Sequence, residues 1–383
     1  MKVAIIGAGL AGRVLAWRLN ELDQGVKITL IDQYDRNHKG TGLVAAAMIA
    51  PYTEAVSTEA ITQELGAESH ALWAKWLPEL EAKTQHSVMF NQEGTIVVSH
   101  PQDEASWQRF NIKAKSVVAD DQMQSFNQQQ LQDVEPELAQ NFNQALFFKN
   151  EGVINNQALY PALNDYFDAA ENIEWYENTK VVFDEEAENG KLTLSNSDIK
   201  SNFDYVFDCR GNDAKAELSK ISKEATLRSV RGEVVNVYAP EVNFTRSIRL
   251  MHPRYPLYIA PRGDHQYVIG ATQLESSDDG PMTVRSGLEL LSALYSLHKG
   301  FAEAQILDML AGLRPTFNNN LPQINTQGKL IHINGLFRHG YLFAPILVND
   351  LIKQLFDKED DVRFPRLIRN IHHDKDDKSK YQQ

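Results

Sequence analysis

The chain has 383 residues, 43% of them hydrophobic and 23% charged, with a formal net charge of −13. That length exceeds what a single core fills comfortably, so two domains are expected, and the acidic balance argues against nucleic acid or an anionic membrane as a partner. The one cysteine, Cys209, excludes a disulfide framework; no apolar run is long enough to span a bilayer, and Cys/His clusters with metal spacing are absent.

In chain order, the first expected element is a buried strand at residues 2–6, starting so early that a cleavable secretory peptide has no room, which points to the cytoplasm. Gly7-Ala8-Gly9-Leu10-Ala11-Gly12 follows at once, and Val14, Leu15, Trp17, Leu19 and Leu22 continue with helical spacing. A strand, a tight Gly turn and a helix together deliver a pyrophosphate to a helix N-terminus. Gly7 permits the turn, Gly9 lets the phosphates approach the backbone, and Gly12 lets the helix pack on the strand. A second strand, residues 26–31, ends at Asp32, 20 residues after Gly12, where a carboxylate can accept hydrogen bonds from a ribose. The pattern predicts dinucleotide binding without separating FAD from NAD.

Residues 40–51 are dense in Gly and Ala, as backbone is when it lies against something flat or against another packed element. Residues 57–81 read as a helix with Leu65, Leu72, Trp73, Trp76 and Leu77 on one side, residues 94–98 as a short strand, and residues 101–132 as a polar, Gln-rich helical stretch. A helix containing Leu159, Leu163 and Phe167 follows residues 152–155. Strands are expected at 180–183 and 204–208, the second running into Gly211. From 230 to 272 the pattern alternates as strands, with a hairpin at Gly263-Asp264; helical spacing returns at 284–297, and a last nucleotide-type segment spans 312–351. Nucleotide-binding material at the start, middle and end of the chain favours FAD, because a nicotinamide dehydrogenase usually keeps that domain contiguous.

In their order, these segments resemble the D-amino acid oxidase superfamily of flavoproteins, and within it the glycine oxidase and sarcosine oxidase group. The likeness rests on Gly7 to Gly12 with Asp32, the run from Leu43 to Pro51, Gly94 to Val98, Val230-Arg231-Gly232-Glu233, Tyr258-Ile259-Ala260-Pro261-Arg262, Ile269-Gly270-Ala271-Thr272, Ala311-Gly312-Leu313-Arg314-Pro315-Thr316, and the run from Phe337 to Pro345. It implies an α/β chain (α+β overall), with a discontinuous Rossmann-like FAD-binding domain at 1–85, 141–226 and 309–370. An antiparallel-sheet substrate domain is inserted at 86–140 and 227–308, and a flexible tail occupies 371–383. FAD is expected to bind non-covalently: Cys209 follows a strand and does not lie in the C-terminal segment where some relatives attach flavin.

The resemblance also implies roles. Gly7, Gly9, Leu10, Ala11 and Gly12 would hold the pyrophosphate and Asp32 the ribose. Thr41, Leu43, Ala45, Ala46 and Met48 would lie by the isoalloxazine, and Val182, or its neighbour Val181, would touch adenine. Gly211 would approach the phosphates, and Gly312, Arg338, His339, Gly340, Tyr341 and Leu342 would complete the flavin site. Arg314 and Tyr258 would bind the substrate carboxylate, with Arg338 near the flavin and the substrate mouth; a planar guanidinium suits that task better than an ammonium. The implied partners are a small-molecule amine or amino acid and O2 or another electron acceptor, with self-association into a homo-oligomer allowed for. Gln273 and His339 depart from the glycine oxidase pattern, so a polar small amino acid or an N-substituted glycine is expected in preference to glycine, with His339 imposing a titration around pH 6.5. The competing readings are a same-fold flavoprotein acting on an amine attached to a macromolecule, and a non-catalytic maturation or scaffold subunit.

Overall fold

A computed structural model describes residues 1–22, 25–183, 186–194, 197–221, 225–251, 257–357 and 368–370. The expected tail at 371–383 lies outside them.

The Lys2–Ile6 strand is buried from Val3 onward because its Val, Ala and Ile side chains are covered on both faces, as in a central parallel strand. It pairs in parallel with Lys27–Ile31 on one side and Tyr205–Asp208 on the other. Around this centre the seven-stranded sheet runs Ile368–Asn370, Gln323–Gln327, Leu330–Asn334, Tyr205–Asp208, Lys2–Ile6, Lys27–Ile31, Ile173–Tyr176. Its largest core joins this sheet to the helices Leu10–Asn20, Ile61–Thr84, Asn156–Ala169 and Gly340–Ile352, with Trp17 and Trp73 fully buried. The opposite face is covered by a small three-stranded sheet through Ala4, Ile6, Leu192, Leu194 and Val206.

The second sheet has nine strands and is largely antiparallel, the exception being Ser247–Met251 beside Thr95–Ser99. Arg228–Tyr238 is its spine. One edge of the spine takes Gln266–Gly270 and Leu274–Glu275, and the other pairs throughout with Gln305–Thr316. The amphipathic helix Val284–Leu297 buries Leu290, Leu294 and Leu297 against one face of this sheet. The other face packs Val234, Ala260 and Val268 against Val44, Ala46 and Val153.

The Gly263-Asp264 hairpin forms between Leu257–Gly263 and Gln266–Gly270, with positive φ at Gly263, Asp264 and His265. Two expectations are corrected. Residues 101–132 are not one helical stretch: the helix Glu104–Val117 is followed by the edge strand Met123–Asn127, in which only Met123 and Phe126 are buried, too few apolar residues for alternation to register. The segment from Gln305 to Thr316 is one strand, so a boundary between 308 and 309 would cut it in two.

Candidate active site

A cavity of about 750 Å³ separates the two sheets. That is near the upper end for ligand clefts. At one end lie Gly7, Gly9, Leu10, Ala11, Asp32 and Gly211. Gly7 has φ +98, and a Cβ there would come within 2.8 Å of the Cys209 backbone; a Cβ on Gly12 would lie 1.9 Å from the Gly7 carbonyl oxygen. Both are therefore Gly for reasons internal to the fold. Gly9 differs: its φ is an ordinary −73, and a Cβ there meets nothing within 4 Å. No side chain caps the helix that begins at Leu10, so its first-turn N–H groups face the cavity without side-chain acceptors, as an anion site requires.

Asp32 holds the turn as well as facing the cavity. Its carboxylate accepts hydrogen bonds from the Ala8 N–H at 2.5 Å and the Tyr34 N–H at 2.9 Å. Arg13, which the sequence did not mark, is 2% exposed and donates through Nε to the Ala8 carbonyl at 2.7 Å. Its guanidinium stacks on Tyr160 and Trp175, 4.6 and 4.8 Å from the ring centroids. We expect Asp32→Ala to weaken FAD binding by about 1–3 kcal/mol, since ribose hydroxyls and a turn N–H lose one charged acceptor; titration of apoprotein with FAD measures this.

The middle of the cavity is lined by Thr41, Ala45, Ala46, Met48 and Gly312. The loop is held from outside. Asn156 donates to the carbonyls of Gly42 and Ala45 at 3.0 and 2.8 Å, Arg262 donates to those of Ile154 and Ala46, and Thr41 donates to Leu313 at 2.9 Å. Neither Asn156 nor Arg262 carries a local sequence signal for this task. Leu43 and Val182 are not among the lining residues. Leu43 sits in the short helical turn Thr41–Val44, where Val44 instead faces the cavity; Val182 is 55% exposed, and its neighbour Val181 lines the cavity.

Arg338, His339, Gly340, Tyr341 and Leu342 also line the cavity, where a second helix, Gly340–Ile352, begins without a side-chain cap. The two helix starts are adjacent, a Cβ on Gly340 falling 3.4 Å from Leu10 Cδ2. Two N-terminal dipoles thus converge on one cavity. The fit to FAD is good on these grounds: an open cradle at Gly9, two adjacent uncapped helix starts, and a carboxylate at Asp32.

Arg314 and Tyr258 reach the cavity near Arg338 from the second sheet. Arg314 crosses the sheet over Gly232, where a Cβ would lie 2.1 Å from its guanidinium, and donates to the Thr272 carbonyl at 3.1 Å. No carboxylate among the described residues forms an ion pair with it. Burial lowers its pKa, and the charge of Arg338 acts in the same direction. Burial raises that of the Tyr258 hydroxyl, so the phenol remains a donor.

Glu54 carries no local sequence signal. It accepts from Arg338 at 2.5 Å and from Arg249 at 3.2 Å, and lies 2.9 Å from His339 Nε2. Burial alone would raise its pKa, but Arg338, Arg249 and the His339 hydrogen bond hold it well below the usual carboxylate range. The 2.9 Å contact makes His339 Nε2 the protonated nitrogen, donating to Glu54; the longer 3.2 Å approach of Arg338 Nε to the same atom is then a contact between two donors. Burial lowers the His339 pKa below 6.5. The imidazole is therefore neutral at pH 7, and its titration belongs on the acid side of 6.5. Gln273 stands exposed at the cavity edge, its Oε1 3.4 Å from Arg338 Nη1. Removing this acid should be costly: we expect Glu54→Gln to lose about 3–5 kcal/mol in denaturant unfolding, because the guanidiniums of Arg249 and Arg338 both lose their ion-pair partner.

The Gly-turn cradle, the two uncapped helix starts and Asp32 facing one cavity are those of a flavin-dependent oxidoreductase. The chain belongs to the FAD dependent oxidoreductase family, whose model matches residues 2–350. It is 32% identical over 362 residues to a putative thiamine biosynthesis oxidoreductase ThiO of Rhizobium etli, covering 94% of this chain and 98% of that one. Its fold matches the crystal structures of glycine oxidase from Geobacillus kaustophilus (TM-score 0.79, 21% identity, 97% and 98% coverage) and iminodiacetate oxidase from Chelativorans sp. BNC1 (0.80, 18%, 96% and 99%). Among the described residues no helix is long and apolar enough to cross a membrane.

Proposed function

We propose that the protein oxidises the Cα–N bond of a small amino acid or N-substituted glycine. The observation that carries this reading is Arg314: a guanidinium laid over Gly232, beside the Tyr258 hydroxyl, facing the cavity and without a carboxylate of its own. FAD, when bound, accepts a hydride at N5 and passes the two electrons to O2 or another acceptor.

The chain itself does the positioning. Arg314 and Tyr258 fix the substrate carboxylate, which leaves the adjacent carbon one orientation toward the middle of the cavity. The amine gives up one N–H proton and the α-carbon its hydride, leaving an imino acid. Water then adds to the C=N bond, and a keto acid and the amine depart. None of the lining residues needs to be a strong base for this. The helix starts at Leu10 and Gly340 direct N–H dipoles into the cavity and so favour negative charge there, a fixed electrostatic contribution that needs no reorganisation.

We further propose O2 as the electron acceptor. In air, each equivalent of amine consumed should yield one of keto acid and one of hydrogen peroxide. Keto acid released without peroxide, and only with an added dye as acceptor, would replace the oxidase reading with a dehydrogenase.

A further inference from the structure

The helix Val284–Leu297 has two apolar flanks, and the second sheet covers one of them. Leu290, Leu294 and Leu297 are buried on the sheet, whereas Val284, Leu288 and Tyr295 are 80%, 61% and 58% exposed. With the half-buried Leu291, these recur at intervals of four, three and four residues, which places them in one stripe along the helix.

The stripe continues onto the sheet. A Cβ on Gly287, one turn from both Val284 and Leu291, would lie 4.0 Å from Met309 Cε, so the strand Gln305–Thr316 borders the helix on the flank that carries the stripe. Ile306 and Met309 pair with Val237 and Val235, which belong to the core beneath the helix, and so share its side of the sheet. Leu307 is the extra residue where the register of this strand shifts. Six of the eleven large hydrophobic side chains exposed among the described residues therefore fall in this one patch, which is not the single scatter of an ordinary surface.

Size, charge and symmetry all fit a second copy of the chain. Weighted by exposure, the six side chains present roughly 400 Å² of apolar surface. One side of a standard homodimer interface contributes about 500 Å² of apolar surface. The chain carries a net −13, which drives copies apart, but residues 281–312 hold two basic and three acidic residues, and one of those acids, Asp308, pairs with Lys39 at 3.4 Å. Two copies meeting here meet nearly neutral surface. A stripe with this spacing also packs on an antiparallel copy of itself: about a two-fold axis between Leu288 and Leu291, each Leu288 meets Leu291 of the second copy and each Val284 meets Tyr295. The bulge at Leu307 interrupts the outer edge of the strand, so the contact is between side chains and not through a shared hydrogen-bonded ladder.

We propose that two copies of this chain associate through this face, helix Val284–Leu297 against its own copy, with Ile306, Leu307 and Met309 flanking the seam. The contact is isologous, so association through it stops at the pair.

Sedimentation of the FAD-loaded protein from about 1 to about 100 µM tests this. Wild type should sediment at twice the monomer mass. Leu288→Glu on the helix and Leu307→Lys on the strand each bring a charge into the seam and should raise the dimer dissociation constant at least about 100-fold, leaving monomers with full flavin content. Ile112→Glu, at a residue 69% exposed but outside the patch, should remain dimeric. Larger wild-type assemblies that both seam variants split in half also support the proposal. A monomeric wild type at every concentration, or an assembly that neither seam variant weakens, overturns it. Hydroxyl-radical footprinting of wild type gives a readout that needs no variant: oxidation of Met309 should fall as concentration rises, while that of Met1, equally exposed at 42% against 41%, should not. Met309 protected in monomeric protein would mean that the chain's own residues cover the face, and overturns the proposal as well.

Discussion

Gly9→Val is expected to give folded, colourless protein. A Cβ at Gly9 has nothing within 4 Å, and the residue's φ of −73 suits any side chain, so valine enters the cavity without disturbing the turn. The space it fills is the space the pyrophosphate needs. The visible flavin absorbance should be absent, while circular dichroism and melting match those of wild-type apoprotein. The neighbouring positions supply the contrast: at Gly12 a Cβ would lie 1.9 Å from the Gly7 carbonyl oxygen, so Gly12→Val should fail to fold. Yellow protein from Gly9→Val would place the phosphates elsewhere.

Arg314→Ala should retain FAD and lose about 100-fold or more of turnover on any carboxylate-bearing amine, since one charge-assisted pair in a desolvated site is worth about 2–5 kcal/mol. The loss should appear in the rate of flavin reduction as well as in KM, because a carboxylate held only by Tyr258 no longer orients the α-carbon. Arg314→Lys should recover little: the guanidinium reaches its place by lying across Gly232 and donating to Thr272, and an ammonium is a point charge that cannot reproduce the fork. Wild-type kinetics in Arg314→Ala would end the carboxylate-clamp assignment.

How far the sequence could be read depended on how local the physics was. The strand, Gly turn, helix and Asp32 are contained in about thirty residues, and Gly7, Gly9 and Gly12 each answer to a neighbour or to the cavity within that unit. Arg314 and Tyr258 became legible only through family resemblance, since an arginine before a proline and a tyrosine in a sheet have ordinary structural uses. Glu54 was not legible at all. It precedes Arg338 by 284 positions, and nothing local distinguishes it from a solvent-facing helical glutamate. The same holds for Arg262, which pins Ala46 from 216 positions away. Between Val181 and Val182 the sequence left the choice open; Val181 lines the cavity and Val182 is exposed, the alternation of a strand turning one side chain in and the next to solvent.

Anaerobic mixing of the FAD-loaded protein with amines asks whether an amine carbon beside a carboxylate is oxidised in this cavity. A carboxylate-bearing amine should bleach the flavin and yield one keto acid per flavin, the same amine with its carboxylate replaced by an amide should not, and Arg314→Ala should abolish the difference. Flavin that stays oxidised with every carboxylate-bearing amine, or that is reduced equally well by the amide, would contradict oxidation beside the carboxylate.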